Sequence, residues 1–250
     1  MVFVRSVFNT LLVALSTFVF SLLAYVARLV DNSGDKVIEL AHVWGKTLAF
    51  LTGMRVTLRS EATLEPGRPY VFVANHVSAA DIWALYAVLP VRVRMIAKKQ
   101  LGAIPFFGWA LRAGRFVFID RQDPHAARRS IDEAARRIRG GVSVLIFPEG
   151  TRSRDGRLGS FKKGGFHLAV NAGVPIVPVA VRGTFALLPP KTLWIRPGPV
   201  EVVLAPPVPT QGLADTERSH LVERVQAMVA ARLAASEERP VAARPAAVRQ

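Results

Sequence analysis

Residues 70–83 read Tyr70-Val71-Phe72-Val73-Ala74-Asn75-His76-Val77-Ser78-Ala79-Ala80-Asp81-Ile82-Trp83: an apolar run, a polar junction and a second apolar run. Tyr70 to Ala74 has the β-branched and aromatic composition of a buried strand. Ser78 with Asp81 three positions on is a capping box, so a helix opens there with the aspartate in its first turn. A strand that turns directly into a helix is the repeating unit of an α/β domain. The alternation continues outward. Val91 to Ala97, Arg115 to Ile119, Val142 to Phe147, Ile176 to Val181 and Val200 to Leu204 have strand composition, with helix-length segments between them. The clearest helix has Asp123 as N-cap, Pro124 at its first position and Gly140-Gly141 as its stop. The expected fold class is α/β, a largely parallel mixed sheet flanked by helices, with an N-terminal membrane-associated helical segment. Val174-Pro175-Ile176-Val177-Pro178-Val179 reads as an edge or bulged strand, because proline cannot donate to a ladder.

The chain has 250 residues, 51% of them apolar, enough for one sizeable core. Its formal net charge of +15 attracts polyanions without choosing among nucleic acid, anionic lipid and phosphorylated substrates. With no cysteine, thiolate nucleophiles, disulfides and cysteine-bearing zinc sites are excluded. No internal repeat is present.

Ser6 to Ala27 carries no charge and, as a helix, is long enough to cross a hydrocarbon layer about 30 Å thick. The run is longer than the apolar region of a signal peptide and no small-residue cleavage pattern closes it, so it reads as a retained anchor. Its Asn9, Thr10, Ser16, Thr17 and Ser21 leave two arrangements open, a full span or a half-inserted hairpin. Arg28, Lys36, Lys46, Arg55 and Arg59 follow it and only Arg5 precedes it, which places the main domain on the cytoplasmic side of the cytoplasmic membrane. Lys36 to Gly53 has Leu40, Val43, Trp44, Leu48 and Leu51 at helical spacing; this stripe either lies in the membrane interface or packs on the folded domain. The chain thus divides into membrane-anchoring helices over 1–53, an α/β domain over 54–232 and a disordered tail over 233–250, the last rich in Pro, Ala and charge.

At the opening junction, His76 leaves the strand and Asp81 sits at a helix N-terminus, where the ionised carboxylate is favoured. A carboxylate bonded to one imidazole nitrogen fixes the tautomer and makes the other a better proton acceptor. No G-x-S-x-G elbow offers a serine nucleophile, so the hydroxyl to be activated belongs to a substrate. One histidine and one aspartate do not make a metal site. Phe147-Pro148-Glu149-Gly150-Thr151-Arg152-Ser153 follows a buried strand, at the sheet edge where open α/β folds bind ligands. An ordinary Pro-Glu-Gly turn accounts for the same residues. Arg152, the Lys162-Lys163-Gly164-Gly165 run before a helix, Arg121 after a third strand and Lys98-Lys99 after a fourth together describe an anion pocket beside His76. His42, His125, His167 and His220 have no partner at useful spacing and read as surface or packing residues. Gly102 to Trp109 is either a membrane-dipping or acceptor-gating loop or an ordinary core loop.

These residues resemble a known family. NHVSAADIW is similar to the NHx4D block of the glycerolipid acyltransferases, and GRFVFIDR, FPEGTRS and VPIVPVAV resemble its second, third and fourth blocks in order and spacing. The resemblance covers Arg55 to Pro207. AKKQLGAIPFFGWAL, from Ala97 to Leu111, further resembles the branch that acylates 1-acylglycerol-3-phosphate. It implies transfer of a fatty acyl group from acyl-CoA or acyl carrier protein to lysophosphatidic acid, with His76 as general base and Asp81 orienting it. It also implies Lys98, Arg121, Glu149, Gly150, Thr151 and Arg152 as acceptor-binding residues, the arginines and lysine on the phosphate. No metal and no cofactor beyond the thioester co-substrate is expected, and the expected partners are anionic membrane lipids rather than nucleic acid. Rival readings are a different lysolipid acceptor, a basic lipid-binding module without catalysis, and a thioesterase using water.

Overall fold

The computed structural model describes residues 2–120, 124–213 and 217–235. Two helices lead the chain, α1 (Val2–Val30) and α2 (Asp35–Thr52), and the sheet begins with β1 (Met54–Ser60) and β2 (Val71–Ala74). Then come α3 (Ala80–Val88), β3 (Val93–Lys98), a 3-10 turn (Lys99–Ala103), α4 (Phe107–Ala113), β4 (Val117–Ile119), α5 (Pro124–Arg139) and β5 (Ser143–Ile146). The remainder is α6 (Gly164–Ala172), β6 (Ile176–Arg182), α7 (Thr184–Leu187), β7 (Gly198–Leu204) and α8 (Glu217–Ala235).

The strands form one sheet in the order β1-β7-β6-β2-β5-β3-β4, parallel throughout except where β6 meets β7 antiparallel. This is the expected α/β class. Alternation of side chains sorts the sheet into two cores. Phe72, Leu145, Val177 and Val202 face α2 and α3, whereas Val71, Val73, Val144, Ile146 and Val203 face α5, α6 and α8. Strands covered on both faces are apolar nearly throughout, and β2 and β5 are buried along their whole length, the one polar residue, Ser143, accepting from Tyr70 N at 3.1 Å.

Four readings change. β1 is not among the strands read from sequence: it is an edge strand whose Arg55, Thr57 and Arg59 alternate with Met54, Val56 and Leu58, so it lacks the continuous apolar run of the interior strands. The proline-containing segment is not an edge strand, since β6 lies between β7 and β2. Its prolines are accommodated because Pro175 precedes the strand and Pro178 precedes the ladder with β7, which starts at Val179; Ile176 bridges instead to Val208. Third, the core face of α2 is Val37, Ile38, Gly45, Leu48, Ala49 and Thr52, with Val43 exposed. The face turns toward Gly45 because α3 approaches so closely that a Cβ there would stand 2.8 Å from Ala87 N and Tyr86 Cβ. Of the predicted stripe Leu48 lies in this face and Trp44 packs partly buried against it, and α2 shares a core with the sheet and α3. Finally, α8 runs to Ala235, past the 232 boundary; Arg121, Asp123 and residues 236–250 lie outside the described residues.

The turn between α1 and α2 is fastened to the sheet by a buried cation. Arg94 of β3 donates to Gly114 O (2.9 Å), to Ser33 O (3.0 Å) and to Asp35 Oδ1 (2.8 Å). Two of these acceptors are main-chain carbonyls that would lose their partner with it. Arg94→Met is expected to lower unfolding free energy by about 2–4 kcal/mol, read by denaturant titration in detergent. A loss below about 0.5 kcal/mol, the scale of an ordinary surface change, would show that other contacts hold the turn.

Candidate active site

The carboxyl ends of β2, β3, β5 and β6 meet at one edge of the sheet, the edge at which open α/β folds hold ligands. β2 delivers His76. Its Nδ1 lies 2.8 Å from Asp81 Oδ2, and the same oxygen accepts the backbone N–H groups of Val77 and Ser78, each at 2.8 Å. A carboxylate only accepts, so Nδ1 is the donor and the lone pair of the neutral ring is at Nε2. Asp81 is fully buried, while the imidazole is 15% exposed and lines the cleft. The capping box is realised in one direction: Asp81 accepts from Ser78 N, but Ser78 Oγ accepts from Ala80 N (3.1 Å) and donates to Leu188 O (2.7 Å).

The loop after β5 grips His76 from the other side. The backbone N–H of His76 donates to Glu149 Oε1 (2.7 Å), its carbonyl accepts from Ser153 N (2.8 Å), and the Phe147 ring stacks on the imidazole with centroids 3.9 Å apart. Glu149 Oε2 accepts from Gly159 N at 2.9 Å. The structure thus places Glu149 behind the cleft: it is buried, and both its oxygens bind backbone N–H groups. Its carboxylate faces backbone amides rather than the cleft, which Gly150, Thr151 and Arg152 line; the resemblance implies acceptor contact for all four. Burial pushes its carboxyl above the usual range, opposed by the two N–H donors and the nearby imidazole.

His76, Lys98, Gly150, Thr151 and Arg152 line one cleft of about 820 Å³, together with Lys162. The side chains of Lys98, Arg152 and Lys162 make no hydrogen bond or ion pair among the described residues, whereas Lys99 is held by Asp120 at 3.1 Å. Away from these cations the wall is apolar: Phe20 and Ala24 of α1, Val37 and Trp44 of α2, Leu111 of α4, and Phe116. No residue of 174–181 lines the cleft, so that segment serves as core. Of residues 102–109 only Phe107, the first residue of α4, lines it, flanked by Leu101 and Ala110, so the segment touches the cleft at one side chain. Phe147 and Asn75 were not singled out from sequence. The aromatic immediately before Pro148 is a signal that a stacking partner stood next to the turn; the NHx4D block contains Asn75 but does not show its partner, since its amide pairs with Val181 O (2.9 Å) and Val181 N (2.7 Å), 106 positions away.

An imidazole aimed by a buried anion, facing a cleft that is cationic at one end and apolar along its length, belongs to the class of enzymes that move a proton on an amphiphilic substrate. Comparison with known proteins makes the class specific: the Acyltransferase family profile matches residues 55–182, and the chain belongs to that family. A human 1-acyl-sn-glycerol-3-phosphate acyltransferase alpha is 34% identical over 90% of this chain and 78% of its own length. A 1-acyl-sn-glycerol-3-phosphate acyltransferase of Cocos nucifera is 35% identical over 75% of this chain, which spans 60% of that relative. The crystal structure of PlsC, the 1-acyl-sn-glycerophosphate (LPA) acyltransferase of Thermotoga maritima, aligns with a TM-score of 0.82 and 28% identity, over 96% of this chain and 99% of that one.

Glu149 has a stability signature. Its raised folded value means that its contribution is fully present below the ordinary value of 4.5 and is lost as pH rises through the folded value. Unfolding of the wild type followed across that window should show a falling component that Glu149→Gln abolishes. Equal slopes in the two proteins would show that the carboxyl is not held above its ordinary range.

Proposed function

We propose that this enzyme transfers a fatty acyl group from an acyl thioester, acyl-CoA or acyl-ACP, to the sn-2 hydroxyl of 1-acyl-sn-glycerol-3-phosphate, giving phosphatidic acid. The observation that carries it is the joining, in one cleft, of a carboxylate-aimed imidazole, three uncommitted cations and an apolar wall. The names of the relatives support the acceptor. His76 Nε2 removes the hydroxyl proton as the oxygen attacks the thioester carbonyl, and Asp81 stabilises the imidazolium. The tetrahedral adduct collapses with loss of the C–S bond, and the thiolate takes the proton from His76. No acyl-enzyme forms. Lys98, Arg152 and Lys162, with Arg121 by family resemblance, hold the phosphate, and the apolar wall holds acyl chain.

The same reading places the enzyme on the cytoplasmic membrane, with α1 half-embedded. Ser6–Val30 is long and apolar enough to cross a membrane, with 11% of its apolar window buried. Yet Thr10 Oγ1 donates to Leu193 O (3.2 Å), Trp44 Nε1 donates to Thr17 Oγ1 (3.2 Å), and Phe18 meets Phe106 at 4.9 Å. A helix that touches the domain over that length lies along it, with Phe8, Leu11, Leu15, Leu22 and Tyr25 turned outward.

The purified enzyme, given acyl thioester and a panel of lysophospholipids, should consume thioester only with an acceptor, and lysophosphatidate best. Consumption without acceptor would mark a thioesterase, and none at all a binding module. His76→Ala should lose about 10²- to 10⁴-fold in rate, and Arg152→Ala should chiefly raise KM for the phosphorylated acceptor. The chain has no cysteine, so single cysteines report cleanly on topology. Arg5→Cys and Asn32→Cys should react with an impermeant maleimide from the same side of sealed vesicles; labelling from opposite sides would establish a span.

A further inference from the structure

Asp81 holds His76 through Oδ2, but an aimed carboxylate needs its other oxygen fixed as well. Thr184, the first residue of α7, is fully buried, and its hydroxyl donates to Asp81 Oδ1 from 103 positions away. It is the one hydrogen bond to Oδ1 among the described residues. We infer that Thr184 is a positioning residue of the catalytic pair: its hydroxyl sets the plane of the Asp81 carboxylate and, through it, the aim of the His76 ring. This rests on the proposed role of His76 as base.

The surrounding structure is built to deliver that hydroxyl. Gly183 turns the chain out of β6 at φ +95°, and a Cβ there would stand 2.3 Å from Pro199 O, so no other residue makes this turn in place. On one side of the turn the Asn75 amide locks Val181 to the end of β2 by two hydrogen bonds. On the other, Ser78 Oγ donates to Leu188 O. α7 is therefore tied at both ends to the junction that carries His76 and Asp81. A threonine hydroxyl in or near a helix commonly turns back to a local carbonyl; this one reaches a carboxylate instead. Without it, Oδ1 is a buried charged acceptor with no donor among the described residues, and the plane of the carboxylate is held from the Oδ2 side alone.

The test is a donor series at one site in the full-length enzyme, with kcat and KM measured for thioester and lysophosphatidate. Thr184→Val keeps the shape and removes the donor; kcat should fall about 10-fold or more, with both KM values within about two-fold. Thr184→Ser should restore most of the rate, and Thr184→Cys, a weak donor, should fall between Ser and Val. Added to Asp81→Asn, Thr184→Val should lower kcat less than two-fold further, because the two act as one unit. A kcat that ignores donor strength across Ser, Cys and Val, or a full additional loss in the Asp81→Asn background, would overturn the assignment. If Thr184→Val does not fold, the Ser-to-Cys step decides alone: equal kcat overturns it. Full activity in His76→Ala would instead remove the underlying reading, whereas an inactive His76→Ala beside a fully active Thr184→Val would remove this inference only.

Discussion

A single buried anion organises this molecule. The Asp81 carboxylate has no solvent, and an ion in that position persists only if donors replace the water it lost. The chain supplies them from three places: two backbone N–H groups of the turn after β2, the imidazole of His76, and the hydroxyl of Thr184. Each donor comes from an element placed by the sheet, so meeting the electrostatic demand of one side chain and assembling the His76–Asp81 pair are the same event.

Around that anion the work is divided. The β5 loop holds the main chain of His76 through Glu149 and Ser153 and stacks Phe147 on its ring, leaving Arg152 to face the cleft from the same turn. A turn that grips on one side and presents a cation on the other fixes the distance between imidazole and charge. β3 contributes in the same way: its Arg94 is consumed in holding the N-terminal turn, while its last residue, Lys98, lines the cleft. Strand ends thus set the spacing between the imidazole and the cations of the cleft.

Much of this could be read from residues alone, and the limits are physical. The interior strands announce themselves because burial on both faces favours apolar runs, interrupted only where a polar side chain is satisfied inside, as Arg94 is in β3; β1, exposed along one edge, is half polar and passes for a loop. The pairing of His76 with Asp81 is local, five positions across one turn, and so is legible. Contacts over 100 positions, such as Asn75 with Val181 and Thr184 with Asp81, depend on strand order and leave no local trace. Glu149 shows the converse. The motif marks the residue, but only coordinates reveal that its oxygens face inward to backbone amides.

The two leading helices are walls of the cleft as well as candidates for lipid contact: Thr17, Phe20 and Ala24 of one and Val37, Leu40 and Trp44 of the other line the same cavity as His76. Shortening the chain at residue 53 to obtain a soluble form would therefore take away one wall of the cleft along with the apolar helix. The exposed apolar face and a wall of the cleft belong to the same helix, so a water-soluble form that keeps the cleft intact comes from recolouring the outward face of α1 while its inward face stays as it is.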